Sequence, residues 1–79
     1  MKAVTFTIKH SEIGNYIITI EKHWNSKGLP VYETQLNERI NEYETRPLKW
    51  AVCGSLEFSN QTYYYYRKIA KDWGADNEI

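Results

Sequence analysis

The chain has one cysteine, two prolines, four glycines and no excess charge of either sign. A lone Cys53 cannot close an internal disulfide, which sets the chain apart from small secreted domains stapled by several cystines. Ten Lys/Arg balance ten Asp/Glu, and the pI is near 6.7. Nucleic-acid-binding domains commonly show a strongly basic surface and a pI above ~9, so the balance weighs against a dedicated one. No segment approaches the ~18 consecutive apolar residues of a membrane span. The first ten residues, MKAVTFTIKH, alternate without an apolar run, so they do not read as a signal peptide. Together these absences predict a cytoplasmic protein, with no membrane as partner and Asn60-Gln61-Thr62 an accidental sequon.

What the chain has in abundance is aromatic side chains. They make up 15% of its 79 residues, with seven Tyr, three Trp and two Phe. A chain this short is one domain and buries only ~60–65% of its unfolded surface. Its small core cannot hide twelve large rings, so some are expected on the surface.

Alternation sets the first half. Val4, Phe6 and Ile8 share one side of a strand at residues 3–9, opposite the threonines. Gly14-Asn15 marks a turn, and Tyr16, Ile18 and Ile20 share a side of a second strand ending at Trp24. Asn25-Ser26-Lys27-Gly28 supplies the positive φ of a second hairpin turn. Leu29–Leu36 is a third strand, with Pro30 at its start. Residues 37–45 fit a short helix capped by Asn37, with Leu36, Ile40 and Tyr43 at i, i+4, i+7, or an extended continuation; the helix is favoured. Leu48, Trp50 and Val52 alternate in a fourth strand, closed by Gly54.

Residues 59–73 decide the fold class. Ser59 or Asn60 can cap a helix, and Gly74 stands where a helix often ends in a left-handed residue. At 100° per residue, Tyr63, Tyr66, Ile69, Ala70 and Trp73 gather within about 120°, a core-facing stripe. Four successive tyrosines also favour a strand, and a hairpin of 48–58 with 63–70 would give an all-β small barrel. The helix accounts for Ala70–Trp73 as well, so the favoured fold is α+β: about four antiparallel strands, then a C-terminal helix packed on them (ββββα).

Chemistry-bearing motifs are few. Cys53 sits beside Ala51 and Val52 and reads as a small hydrophobe rather than a nucleophile. His10, His23 and Cys53 lack paired metal-ligand spacing. If the first hairpin turns near residues 12–13, His10 pairs close to Asn15 and His23 close to Lys2, which would part the imidazoles by ~25 Å. The glycines at 14, 28, 54 and 74 are too scattered for a phosphate loop. No catalytic residue, metal or cofactor is therefore expected, and the chain reads as non-enzymatic.

Four successive helical residues sweep 300°, so the tyrosine run cannot all face a sheet. With Tyr66, Ala70 and Trp73 buried, Tyr64 points away from the core beside Arg67, Lys68 and Lys71, and Tyr65 lies at the boundary near Ile69 and Asp72. Exposed Tyr among Arg and Lys is the composition of binding hot spots and suits base stacking too. Tyr64, Tyr65, Arg67, Lys68 and Lys71 are the expected partner-binding residues. Glu38, Glu42 and Glu44 form a second, acidic surface. Net charge runs +2 over residues 1–32, −3 over 33–45, +4 over 46–71 and −3 over 72–79. Such blocks steer and orient a partner.

Lys49-Trp50-Ala51-Val52, Phe58-Ser59 and Tyr66-Arg67-Lys68-Ile69-Ala70 resemble the last strand and helix of three-stranded-sheet-plus-helix DNA-binding modules, such as the arm-type domains of tyrosine integrases. That resemblance implies a nucleic-acid partner. In size, in its Lys/Glu/Asn/Ile/Tyr-rich composition and in its sheet-plus-helix plan, the chain is also similar to small phage-made proteins, anti-CRISPR and host-takeover inhibitors among them. This second likeness implies a monomer or small homo-oligomer that blocks a host protein or ribonucleoprotein complex.

Overall fold

The computed structural model describes residues 4–76. Four strands, β1 (Phe6–Ile13), β2 (Tyr16–Trp24), β3 (Pro30–Arg39) and β4 (Thr45–Cys53), precede one helix, α1 (Leu56–Asp76). The strands form an open antiparallel meander in the order β1-β2-β3-β4, and α1 covers one face. The sheet is not a closed barrel, so the all-β alternative falls away. No helix is long and apolar enough to cross a membrane among the described residues.

Each hairpin has a local cause. Ile13 pairs with Tyr16 across Gly14-Asn15, and Gly14 takes φ 59°, the positive value required at the first central position of a two-residue loop. In the second turn the Gly28 amide donates to the Asn25 carbonyl at 2.9 Å, and Gly28 takes φ 77°. The Asn25 side-chain oxygen accepts from the Lys27 and Leu29 amides at 2.9 and 3.0 Å. This is the local bonding that makes Asn a turn former.

The helix expected at residues 37–45 does not form. β3 instead runs on to Arg39, with Asn37, Glu38 and Arg39 opposite Pro47, Arg46 and Thr45. Residues 40–44 make a hairpin loop in which the Tyr43 amide donates to the Asn41 side chain at 2.8 Å. Ile40 and Tyr43 are exposed, so the apolar spacing had no core to face. The Glu38 carboxylate is held by Arg46 at 2.5 Å, an ion pair that the extended register creates.

The core lies between α1 and the middle of the sheet. Ile18, Ile20 and Leu36 meet Tyr63, Tyr66 and Ala70, with Tyr16 at one end against the Trp73 ring. Ile13, Tyr32, Leu48, Ile69 and Trp73 pack around them, half-buried. The helical stripe read from the sequence is the face that packs on the sheet.

Three local expectations need correction. The helix starts at Leu56 rather than near Ser59, because Ser55 is its cap: its hydroxyl accepts the Phe58 amide at 3.4 Å. Helical residues continue through Gly74, whose φ is not positive, to Asp76. In β1 an extra residue, Ile8, shifts the register between Thr7 and Lys9, so Lys9, Ser11 and Ile13 face the helix; Phe6, opposite Lys22, is on the same side of the sheet yet exposed, as are Val4 and Ile8. Phe6 packs edge-on against Trp24, beyond the core, and Lys22 stands over the Trp24 and Tyr32 rings.

Candidate functional site

The tyrosine run splits by helical phase. Tyr63 and Tyr66 are 3% and 6% exposed, whereas Tyr64 and Tyr65 are 53% and 61% exposed. The two outer tyrosines of the run therefore belong to the core and the two inner ones to the surface. Burial among apolar side chains pushes the Tyr66 phenol above the usual tyrosine range, and the adjacent Tyr65 adds to the shift.

Tyr64 leans toward the β1 edge. Lys9 donates to its hydroxyl at 3.3 Å, and the ammonium lies 4.8 Å from its ring centroid. Arg67 approaches the same ring at 5.7 Å. One aromatic ring is thus set between two cations, only one of which lies on its own helix. Beside it, the Tyr63 hydroxyl bonds Ser11 of β1. These contacts tie α1 to β1 through side chains.

Tyr65 leans the other way, toward β4. With Tyr66 it lines an open groove of about 390 Å³ whose strand side is Leu48, Lys49 and Trp50. Trp50 borders this groove from the uncovered face, opposite Gln35, and is 62% exposed; Phe58, two turns before Tyr65 on the helix, is 61% exposed. Lys68 and Lys71 are exposed on the helix, and Arg67 is half-buried. Among the described residues, Lys49, Arg67, Lys68 and Lys71 form no ion pair with a carboxylate, whereas Arg39 and Arg46 are held by Glu12 and Glu38. The expected binding residues therefore share one helix but part over two flanks: Tyr64, Arg67 and Lys71 toward β1, and Tyr65 toward β4, with Lys68 between them.

The acidic surface is not one patch. Glu38 stands on the helix side of the sheet beside Arg46, while Glu42 and Glu44 occupy the loop at the hairpin tip, where Asn41 donates to Glu44 at 3.3 Å. The uncovered face of the sheet carries other carboxylates, Glu12, Glu21 and Glu33, with Arg39 as its cation. Glu21 and Glu33 stand directly opposite each other across β2 and β3. The Arg39 hydrogen bond and charge hold the Glu12 carboxyl below its ordinary range, with a smaller contribution from His10. Among the described residues charge therefore divides by face, basic on the helix side and acidic on the other. The sequence blocks did not show this division, because strand alternation sends neighbouring charges to opposite faces.

Both histidines point to this uncovered face, His10 3.5 Å from Glu12 and His23 3.6 Å from Glu33. His10 pairs with Thr19 rather than with a residue near Asn15, since the turn falls at Gly14-Asn15. Four residues of β2 then separate it from the position of His23, about 13 Å. That is nearer than the expected ~25 Å but too far for a shared ion. Cys53 pairs with Tyr32 on the helix side, away from both imidazoles, and its Sγ accepts the Ser55 amide at 3.4 Å. Among the described residues no three His, Cys, Asp or Glu side chains are placed to hold a metal ion.

Sequence reasoning missed Lys9, Lys49 and Trp50, which belong to other elements and join the site only through sheet register. Comparison with protein-family models, curated proteins and solved structures gave no match.

Proposed function

We propose that this protein acts without catalysis, by binding another macromolecule through the outer side of α1. The observation that carries the reading is the pair Tyr64 and Tyr65, two half-exposed rings set among Arg67, Lys68 and Lys71, which have no carboxylate partner among the described residues. Tyr and Arg combine large contact area with directed hydrogen bonding, and such residues dominate binding energy at interfaces. Lys9 and Lys49 extend the cationic surface from the sheet on either side. The partner surface is therefore acidic. The resemblance to small phage-made inhibitors supports a host protein or ribonucleoprotein complex as that partner, its working surface blocked by occupancy.

A triple reversal, Arg67→Glu with Lys68→Glu and Lys71→Glu, tests this reading. Affinity capture from host lysate should lose its partner while circular dichroism stays that of the wild type. Capture of the same partner at the same yield would refute it.

A second reading, nucleic-acid binding, draws on Tyr64, a ring with Lys9 and Arg67 on it that could stack a base between phosphate contacts. Titration of a single-stranded oligonucleotide at several salt concentrations separates the two. Phosphate contacts would give a log–log slope near −0.7 for each one neutralised, and no binding at low salt would dismiss this reading.

A further inference from the structure

We infer that the free edge of β4, with the groove beside it, accepts an extended acidic peptide segment as a fifth strand. The inference rests on the macromolecule-binding reading above and specifies the place and the chemistry of the partner.

The two edges of the sheet differ. On β1, the register shift between Thr7 and Lys9 interrupts the ladder, and Lys9 and Ser11 are tied to Tyr64 and Tyr63 of α1. On β4, Pro47 and the register shift opposite Leu36 and Asn37 occupy the first half of the strand. Proline, lysine and a bulge are the usual guards of an exposed edge. Beyond them, Lys49 to Cys53 pair with Leu36 to Tyr32 in unbroken register. The outward side of this stretch carries backbone amides and carbonyls with no strand partner among the described residues, because β4 is last in the sheet. Such a row is a template for strand addition, in which main-chain bonds supply affinity and alternate side chains supply selectivity.

The surroundings define those alternate sites. One set of incoming side chains would enter the groove between β4 and α1, over Leu48 and against Tyr65 and Tyr66. The other set would lie on the uncovered face beside Trp50 and Val52, which are 62% and 59% exposed. Aromatic and β-branched side chains pair well at such positions.

Charge selects the occupant. β4 carries Arg46 and Lys49 and no carboxylate, and Lys68 follows Tyr65 by one turn. Asp72 is two turns beyond Tyr65, at ~10 Å of helix rise. A second copy pairing β4 with β4 over residues 49–53 would set Lys49 opposite Cys53 and bring no carboxylate to it. A segment with Glu or Asp at the groove-facing positions meets Lys49 and Lys68 instead.

The test is a titration of isotope-labelled full chain with a synthetic peptide of about ten residues, long enough for a strand of usual length. The peptide alternates Glu with Val and Tyr, and a control peptide has Lys for each Glu. Amide signals of residues 48–53 should shift and exchange more slowly with solvent, and the control should leave them unchanged. Lys49→Glu should weaken binding at least about tenfold, with the chain still folded. Equal response to both peptides, shifts confined to β1 or the uncovered face, or no shift at millimolar peptide would each overturn the inference. A concentration-dependent dimer protecting residues 48–53 would overturn it in favour of a second copy. The macromolecule-binding reading fails separately, when the triple reversal on α1 leaves partner capture intact.

Discussion

Lys9 and Tyr64 are 55 residues apart in sequence, yet the Lys9 ammonium donates to the Tyr64 hydroxyl at 3.3 Å and rests 4.8 Å from the ring centroid. The contact fixes an exposed ring on the helix by means of a strand at the far edge of the sheet. Both partners are solvent-accessible, so the coupling should be small, about 0.5–1 kcal/mol. A double-mutant cycle with Lys9→Met and Tyr64→Leu, read by urea denaturation, should return that value. A coupling of zero would mean that Tyr64 is not held by Lys9.

Two glycines should respond in opposite directions to alanine. Gly28 holds φ 77° in a tight turn, where a side chain is strained even with open space around it. Gly28→Ala should cost about 1 kcal/mol or more. Gly74 lies inside α1 without positive φ, and an added methyl would meet nothing within 4 Å. Gly74→Ala should stabilise by up to about 1 kcal/mol, because glycine is a poor helix residue. Thermal denaturation of the two variants checks the pair, and destabilisation by Gly74→Ala would contradict a helix running through that position.

Much of this architecture was legible in the residues. Tyr16, Ile18 and Ile20 alternate because β2 is central with one face covered, and Tyr63, Tyr66 and Ala70 recur at helical spacing because α1 covers it. The exposure of Tyr64 followed from that helical phase alone. Residues 37–45 misled because Leu36, Ile40 and Tyr43 fit a helical stripe, while the ion pair of Glu38 with Arg46 depends on a register that no local pattern reveals. In β1, one extra residue at Ile8 placed Lys9 and Ser11 beneath the tyrosines, while Phe6, on the same side of the sheet, packs on Trp24 beyond the core. Lys49 became part of the surface for the same reason: only pairing with β3 puts it next to Tyr65, while Trp50, opposite Gln35, meets the groove from the uncovered face.

Stability should slope at both ends of the pH range. Arg39 lowers the Glu12 pKa, so the contact contributes above the ordinary carboxylate value of 4.5 and is lost as pH falls through the folded value. Glu12→Gln should remove that acid slope, and added salt should weaken it because the pair is exposed. Burial raises the Tyr66 pKa, so its contribution is complete below pH 10.0 and is lost as pH rises through the folded value. Tyr66→Phe should flatten this alkaline slope. Unfolding free energies across pH, compared with each variant, report both effects; unchanged slopes in both variants would contradict both assignments.

The tyrosine run provides the sharpest separation of core from surface. Tyr63 and Tyr66 are almost wholly buried against Ile18, Ile20 and Leu36, and deleting a buried aromatic ring typically costs about 3–5 kcal/mol. That is most of the ~5 kcal/mol at the low end of domain stability, so Tyr63→Ala and Tyr66→Ala should each retain no more than about 2 kcal/mol. Tyr63→Phe keeps the ring and loses only the bond to Ser11, at a cost of about 1 kcal/mol. Tyr64→Ala and Tyr65→Ala remove half-exposed rings and should cost no more than about 1 kcal/mol each. The same two substitutions should weaken partner binding by about 1–2 kcal/mol or more. Urea denaturation of all four alanine variants, set beside partner binding of those that fold, tests this division. If Tyr64→Ala lowers stability as much as Tyr63→Ala does, the ring is part of the core and the binding surface on α1 lies elsewhere.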